Sequence, residues 1–277
     1  MRTILHRFVF LAAALSSGLM AGTGCTVKED REPCPAYLNV SFADRKSIVK
    51  NVGILGYNGA EIFRESIDVA KYDPYWVKAV HKGIITVSAY YGVDGASTAG
   101  HHATIPIGSQ CDSLYAFHED VDCTGDMAYA DVTLHKQFCT VYMDLNKPLT
   151  GQNSIDHYYF LVEGNTCGFD LLNFEAVPGS FRIEPRPEEG ERIVTYRIPR
   201  QVDDSMTVTV WFRTDDGKML PEEGMKFPIG QYIKKLGYNW SAEDLQDIYV
   251  KIDFVAGFVT ISVEDWEDGY VFGFIEQ

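Results

Sequence analysis

Residues 206–214 show the pattern on which this chain is built. Val208, Val210 and Phe212 point one way, and Thr207, Thr209, Trp211 and Arg213 point the other. That period of two places one face of a β-strand in a core and the other toward solvent. Asp215-Asp216-Gly217 then turns the chain back. Strand-prone runs recur at 37–42, 52–57, 61–69, 75–80, 84–91 and 114–118, and again at 130–134, 138–145, 158–162, 192–198, 248–254 and 258–263. Asn58-Gly59 predicts a hairpin turn, because positive φ costs little at these residue types. His81-Lys82-Gly83 predicts a second tight turn, 94–102 a Gly-, Ala- and Ser-rich loop, and 185–190 a charged loop. One short helix is expected, with Ser241 as N-cap, Glu243 and Asp244 in its first turn, and Leu245 and Ile248 on one face.

Short strands, frequent turns and little helix predict an all-β chain built of β-sandwiches. The boundary falls at 122–128, where Thr124-Gly125-Asp126 interrupts two strand-rich blocks. The expected division is an N-terminal sandwich at 36–126 and a C-terminal sandwich at 127–277. No long linker separates them, so the two are expected to pack against each other. No short-period repeat is present.

The first residues follow a different pattern. Arg2, His6 and Arg7 precede an apolar run at 8–20, and Ala21, Gly22, Thr23 and Gly24 follow it. This is the form of a secretory signal over residues 1–24. As a helix the apolar run reaches about 20 Å, short of a hydrocarbon core of about 30 Å. Cys25 directly after the small residues indicates lipoprotein processing, although Gly22 stands where a lipobox usually has Leu. An ordinary cut near Ala21 or Gly24 is the alternative. Several acyl chains, at about 0.8 kcal/mol per buried CH₂, would hold Cys25 on a membrane for very long times. Residues 25–35 would then be a lipidated tether. Lys28-Glu29-Asp30 resembles the acidic tag that sends lipoproteins of Bacteroidales-type bacteria to the outer face of the outer membrane; a solvated charged tether is the plainer reading.

Charge narrows the partners. The 277 residues carry 24 Lys and Arg against 39 Asp and Glu, a formal net charge of −15. The charge becomes −17 once Arg2 and Arg7 leave with the leader. A field of that sign argues against nucleic acid and anionic lipid as partners.

Catalytic signatures are absent: there is no G-x-S-x-G, no H-E-x-x-H and no P-loop. No cofactor is expected. His101-His102 lies in the Gly- and Ser-rich loop with no acidic or Cys ligand close in sequence. Asp120, Asp122, Thr124 and Asp131 occupy the ligand positions of an EF-hand loop, with Gly125 at the sixth. Strand-like flanks favour an acidic turn over a calcium site. With Cys25 lipidated, five cysteines remain, namely Cys34, Cys111, Cys123, Cys139 and Cys167. In an oxidising compartment, Cys111 and Cys123 are the closest pair flanking a strand and a possible disulfide. Thirty-six aromatic residues keep a glycan-binding surface open, although most Tyr and Phe of β-sandwiches are core or cross-strand partners. The apolar end Tyr270, Val271, Phe272, Phe274 and Ile275 is an edge liability unless paired. It pairs within its own domain or is donated to another subunit's sheet.

The stretch Cys25-Thr26-Val27-Lys28-Glu29-Asp30-Arg31, then Cys34-Pro35, then Tyr37-Leu38-Asn39-Val40-Ser41-Phe42, resembles the start of the FimB-like anchor subunits of Bacteroidales fimbriae (type V pili). Pro228-Ile229-Gly230-Gln231-Tyr232-Ile233, Gly237-Tyr238-Asn239-Trp240, 247–254 and Ile261-Ser262-Val263-Glu264-Asp265-Trp266 are similar to the second domain of that family. Ala36 departs from the second cysteine that many members carry, which leaves the role of Cys34 open. The resemblance implies two tandem transthyretin-like, Greek-key β-sandwich domains and a lipid anchor at Cys25. It implies a non-catalytic role at the cell outer membrane, holding a fimbrial shaft and helping to set its length. The implied partners are a shaft subunit, met by strand exchange or edge contact, and the membrane itself. A tip or adhesin subunit and a surface glycan-binding lipoprotein are the alternatives.

Overall fold

The computed structural model describes residues 34–43, 50–93, 98–146, 157–187, 193–253, 258–265 and 269–275. For 145, 146 and everything from 253 onward, only the backbone course is described. Among the described residues the fold is mostly β, arranged in four sheets.

Two sheets belong to the first half. In the smaller, β1 (Ala36–Ser41) lies between β4 (Tyr75–Val80), to which it is antiparallel, and β9 (Met127–Asp131), to which it is parallel. The larger runs in the order β10–β8–β5–β2–β3. Its strands are β2 (Asn51–Tyr57), β3 (Glu61–Asp68), β5 (Ile84–Tyr91), β8 (Tyr115–Asp122) and β10 (His135–Lys136). One core lies between the two sheets. Leu38 and Val40 of β1 meet Val52, Ile54, Ile85 and Val87 there, all fully buried. The alternation of β1 produces this: Ala36, Leu38 and Val40 turn inward, while Tyr37 faces out. Burial of side chains the size of Leu38 and Val40 contributes about 1.5–3 kcal/mol each.

The second half repeats the arrangement. One sheet has the order β14–β11–β17–β18–β19. It comprises β11 (Phe138–Asn146), β14 (Ile193–Pro199), β17 (Asp247–Asp253), β18 (Phe258–Asp265) and β19 (Gly269–Ile275). The other runs β16–β15–β12–β7–β6, with β13 also paired to β12. Its strands are β6 (Thr98–Ala99), β7 (His102–Thr104), β12 (Tyr158–Asp170), β13 (Glu175–Ile183), β15 (Thr207–Arg213) and β16 (Met219–Phe227). Val141, Tyr158, Phe160, Tyr196, Val208, Val210, Ile248 and Val250 fill the core between them.

The halves are interlocked. The β6–β7 hairpin comes from the first half of the sequence but pairs with β12 of the second. Gly100 turns it at φ +59, followed by His101 without positive φ, the pattern of a II′ turn. A small third core forms at this crossing from Leu55, Ala103, Leu114, Ala116, Phe169 and Leu171.

β9 and β10 still pair with β1 and β8, so the chain stays in the first pair of sheets through Lys136. The Thr124-Gly125-Asp126 turn carries the chain from one sheet of the first half to the other. The expected loop at 94–102 contains β6 and begins β7. The expected helix after Ser241 does not form, because the Asp244 carboxylate instead accepts from Lys136 N at 2.5 Å and lies 3.0 Å from His135 Nδ1. Leu245 N donates to Lys136 O, so this segment is held against β10. Among the described residues the α-helix is α1 (Ile229–Lys235), just after Pro228. Gly230 is required there, since a Cβ would stand 2.5 Å from Asp204 O. Among the described residues, no helix is long and apolar enough to cross a membrane.

Candidate functional site

Three places concentrate structure beyond the cores. The first is the end of the third sheet. β19 pairs antiparallel with β18 from Asp265↔Gly269 to Val259↔Ile275 and closes the strand order. The apolar tail therefore pairs within its own chain as the outermost strand of its sheet. Its far edge presents backbone donors and acceptors of the kind that accept an added strand.

The second place is the junction of the halves, organised by Arg200. Its Nε and Nη2 donate to Gln137 Oε1 at 3.0 and 2.6 Å, Nη2 also donates to Ala242 O at 2.6 Å, and Nη1 donates to Trp240 O. Arg200 is 7% exposed, and burial pulls its pKa down. The fork geometry of a guanidinium fits this task of collecting several acceptors at once. Beside it opens a cleft of about 630 Å³ that His118, His135, Phe174, Glu175 and Trp240 help line. His118 stacks on Phe174 at 5.9 Å. Arg200 itself lines this cleft, and its acceptors are uncharged carbonyl oxygens, so the guanidinium keeps its positive charge there.

The third place is the hairpin tip. The register pairs Asp170 with His102, and Leu171 N donates to His101 O at 2.9 Å. Asp170 Oδ2 lies 3.4 Å from His102 Nε2 and 3.7 Å from His101 Nε2. The two imidazoles are 4.4 Å apart. Asp170 is nearly covered. Oδ1 accepts from Leu172 N at 2.8 Å and Asn173 N at 3.0 Å, and Oδ2 accepts from Asn173 Nδ2 at 2.7 Å. Burial alone would raise its pKa. The hydrogen bonds from Asn173 and Leu172, aided by His101, outweigh burial and hold the carboxyl below its ordinary value.

No protein-family model matches the chain, and no curated protein matches it. Solved structures share its fold. A proposed polysaccharide-binding protein from Bacteroides thetaiotaomicron aligns with a TM-score of 0.60 at 11% identity, over 88% of this chain and 99% of that one. The fimbrial anchor protein Mfa2 from Porphyromonas gingivalis aligns with a TM-score of 0.55 at 11% identity, over 86% of this chain and 95% of that one. A proposed adhesin from Bacteroides thetaiotaomicron aligns with a TM-score of 0.53 at 14% identity, over 88% and 99%. At such identities the likeness is one of fold.

The other sequence-expected residues are dispersed. Cys25, Lys28, Glu29 and Asp30 lie outside the described residues. The calcium candidates do not converge. Asp120 Oδ1 accepts from Thr86 Oγ1, Asp122 Oδ1 accepts from Thr124 N and Oγ1, and Asp131 sits on β9 in the other sheet. Cys111 and Cys123 are both free thiols. Cys123 is in the first core, while Cys111 O accepts from Arg197 of β14. Sequence reasoning missed Arg200 and Asp170. Arg200 carries no motif, and Asp170 joins the histidines only through the pairing of β12 with β7.

Proposed function

We propose that this chain is a non-catalytic subunit of a surface fimbria. Lipidated Cys25 anchors it to the outer face of the outer membrane, and the far end of the chain engages the shaft. The observation that carries this reading is the shared fold with the fimbrial anchor Mfa2 across 86% of this chain and 95% of that one. The signal-like leader, Cys25 and Lys28-Glu29-Asp30 support the membrane attachment. Two pairs of sheets, each around its own core, suit two tandem transthyretin-like domains. If the N-terminus is spent on lipid, strand exchange with a shaft subunit falls to an exposed edge or to 270–275, and β19 is already the terminal strand of its sheet. An anchor position at the base of the shaft follows from the lipid.

Two changes in the producing cell test it. Cys25→Ala should release the protein from the outer membrane. Deleting 270–277 should leave the lipidated protein in place but shed fimbriae into the medium. Retention of the Cys25→Ala protein on the membrane overturns the anchor, and fimbriae still attached after the deletion overturn the tail contact.

A glycan-binding reading draws on the likeness to the proposed polysaccharide-binding protein and on Tyr37, Tyr75 and Tyr129, exposed on the first sheet. Tyr75 and Tyr129 meet edge to face, 68° between planes, rather than forming a coplanar platform for sugar rings. Binding to a glycan array that disappears in Tyr129→Ala would favour this reading over the fimbrial one.

A further inference from the structure

We infer that His101, His102 and Asp170 form a binding site for a divalent transition-metal ion, with Zn²⁺ the best-suited probe. The donor set is two imidazoles and one carboxylate, which suits Zn²⁺ and its neighbours rather than Ca²⁺ or Mg²⁺. The ligand atoms all lie within 4.8 Å of one another. Around a zinc ion with bonds of about 2.0–2.2 Å, tetrahedral ligands stand about 3.3–3.5 Å apart. The 3.4 Å and 3.7 Å separations of the two imidazoles from Asp170 Oδ2 already approach that spacing. Small rotations of the two rings complete it.

The supporting shell is present as well. Metal-binding carboxylates are held by outer hydrogen bonds that fix their orientation. Asn173 and the Leu172 amide do this for Asp170, whose side chain is 7% exposed. The two histidine side chains are 36% and 42% exposed. An ion can therefore enter from solvent, and a water molecule or a partner's side chain can take the fourth position. Nearby charges are balanced: Arg64 pairs with Glu61 at 2.6 Å while its Nη2 also donates to Gly100 O.

The location gives the ion a consequence. His101 and His102 stand on the β6–β7 hairpin sent over from the first half of the sequence, and Asp170 ends β12 of the second half. An ion at this point ties the two halves together where only three register pairs join β7 to β12.

The test uses the full mature chain, purified through a tag other than polyhistidine and stripped with EDTA. Calorimetric titration with Zn²⁺ alone should show one ion per chain. His101→Gln and His102→Gln should each lower the affinity at least tenfold, and the double variant should abolish the one-to-one step. These side chains are partly exposed, so the variants should fold. At 100-fold excess over its Kd, Zn²⁺ should raise the Tm of the native sequence by about 5–10 °C and leave the double variant unmoved. His135→Gln, beside Asp244 instead, should bind as the native sequence does. Absence of binding, or a site that survives the double variant and responds to His135→Gln, overturns the inference.

Discussion

Lys136 Nζ donates to Asp247 Oδ1 at 2.5 Å, with the two side chains only 17% and 20% exposed. The same carboxylate oxygen accepts from Thr140 N at 2.7 Å, and the ammonium lies 4.9 Å from the centre of the Phe138 ring. One pair thus binds the last strand of the first half to the first residues of β11 and the start of β17. Removing the acceptor leaves a covered cation and a backbone amide unpaired together. Asp247→Ala should cost about 2–4 kcal/mol of unfolding free energy and Lys136→Met less, as read from urea midpoints. Equal losses in both would show that the amide contact to Asp247 carries no weight.

Arg200 makes a stronger demand. Arg200→Met should destabilise by about 3–5 kcal/mol, because Gln137 Oε1 and the Trp240 and Ala242 carbonyls lose their shared donor. Arg200→Lys should recover little, since a single ammonium cannot span acceptors on both sides. Thermal unfolding of both variants checks this, and full rescue by lysine would refute the fork.

The thiols should differ in reactivity. Burial pushes Cys111 up to about 12 and Cys139 higher still, whereas Cys34 is exposed. At pH 8 a thiol at about 12 is thiolate in about one part in 10⁴. Native alkylation should therefore label Cys34 at least about 10³-fold faster than Cys111 or Cys139, with all of them reacting in urea. Digestion without reductant should yield no peptide bridging Cys111 to Cys123.

Asp170 predicts an acid-side effect with a definite sign. Its folded pKa lies below the ordinary value of 3.8. Its stabilisation is therefore complete above about pH 4 and fades as pH falls through the lower folded value. Asp170→Asn keeps one acceptor oxygen for the backbone amides of Leu172 and Asn173, loses the acceptor facing Asn173 Nδ2 and cannot ionise. Urea midpoints between pH 2 and 5 should fall less steeply in this variant than in the native sequence.

Much of the strand pattern was legible because it rests on local rules. Asn58-Gly59 turns β2 into β3 with Gly59 at φ +68, and Asp216-Gly217 turns β15 into β16 with Gly217 at φ +85. Val208 and Val210 are fully buried, as their spacing requires. The expectations that failed were decided by distant partners. Ser241 to Asp244 carries a helix-start signal, but Asp244 is drawn to His135 and Lys136. The expected loop at 94–102 hides β6 and the start of β7 because strands of two and three residues are too short for a period to register. The histidines there lacked an acidic neighbour in sequence, and Asp170 reached them through strand pairing that no local pattern encodes.

The central place of β1 bears on how the protein withstands pulling. Tension applied to the chain ahead of Ala36 reaches β1 first, and a pull along the strand axis loads six register pairs to β4 and five to β9 at once. Those bonds are sheared together instead of being unzipped one after another, so extraction must break both ladders in a single event. A tether fastened there would yield in an abrupt step at high force, and the strand most exposed to that force is the one that neighbours grip on both sides.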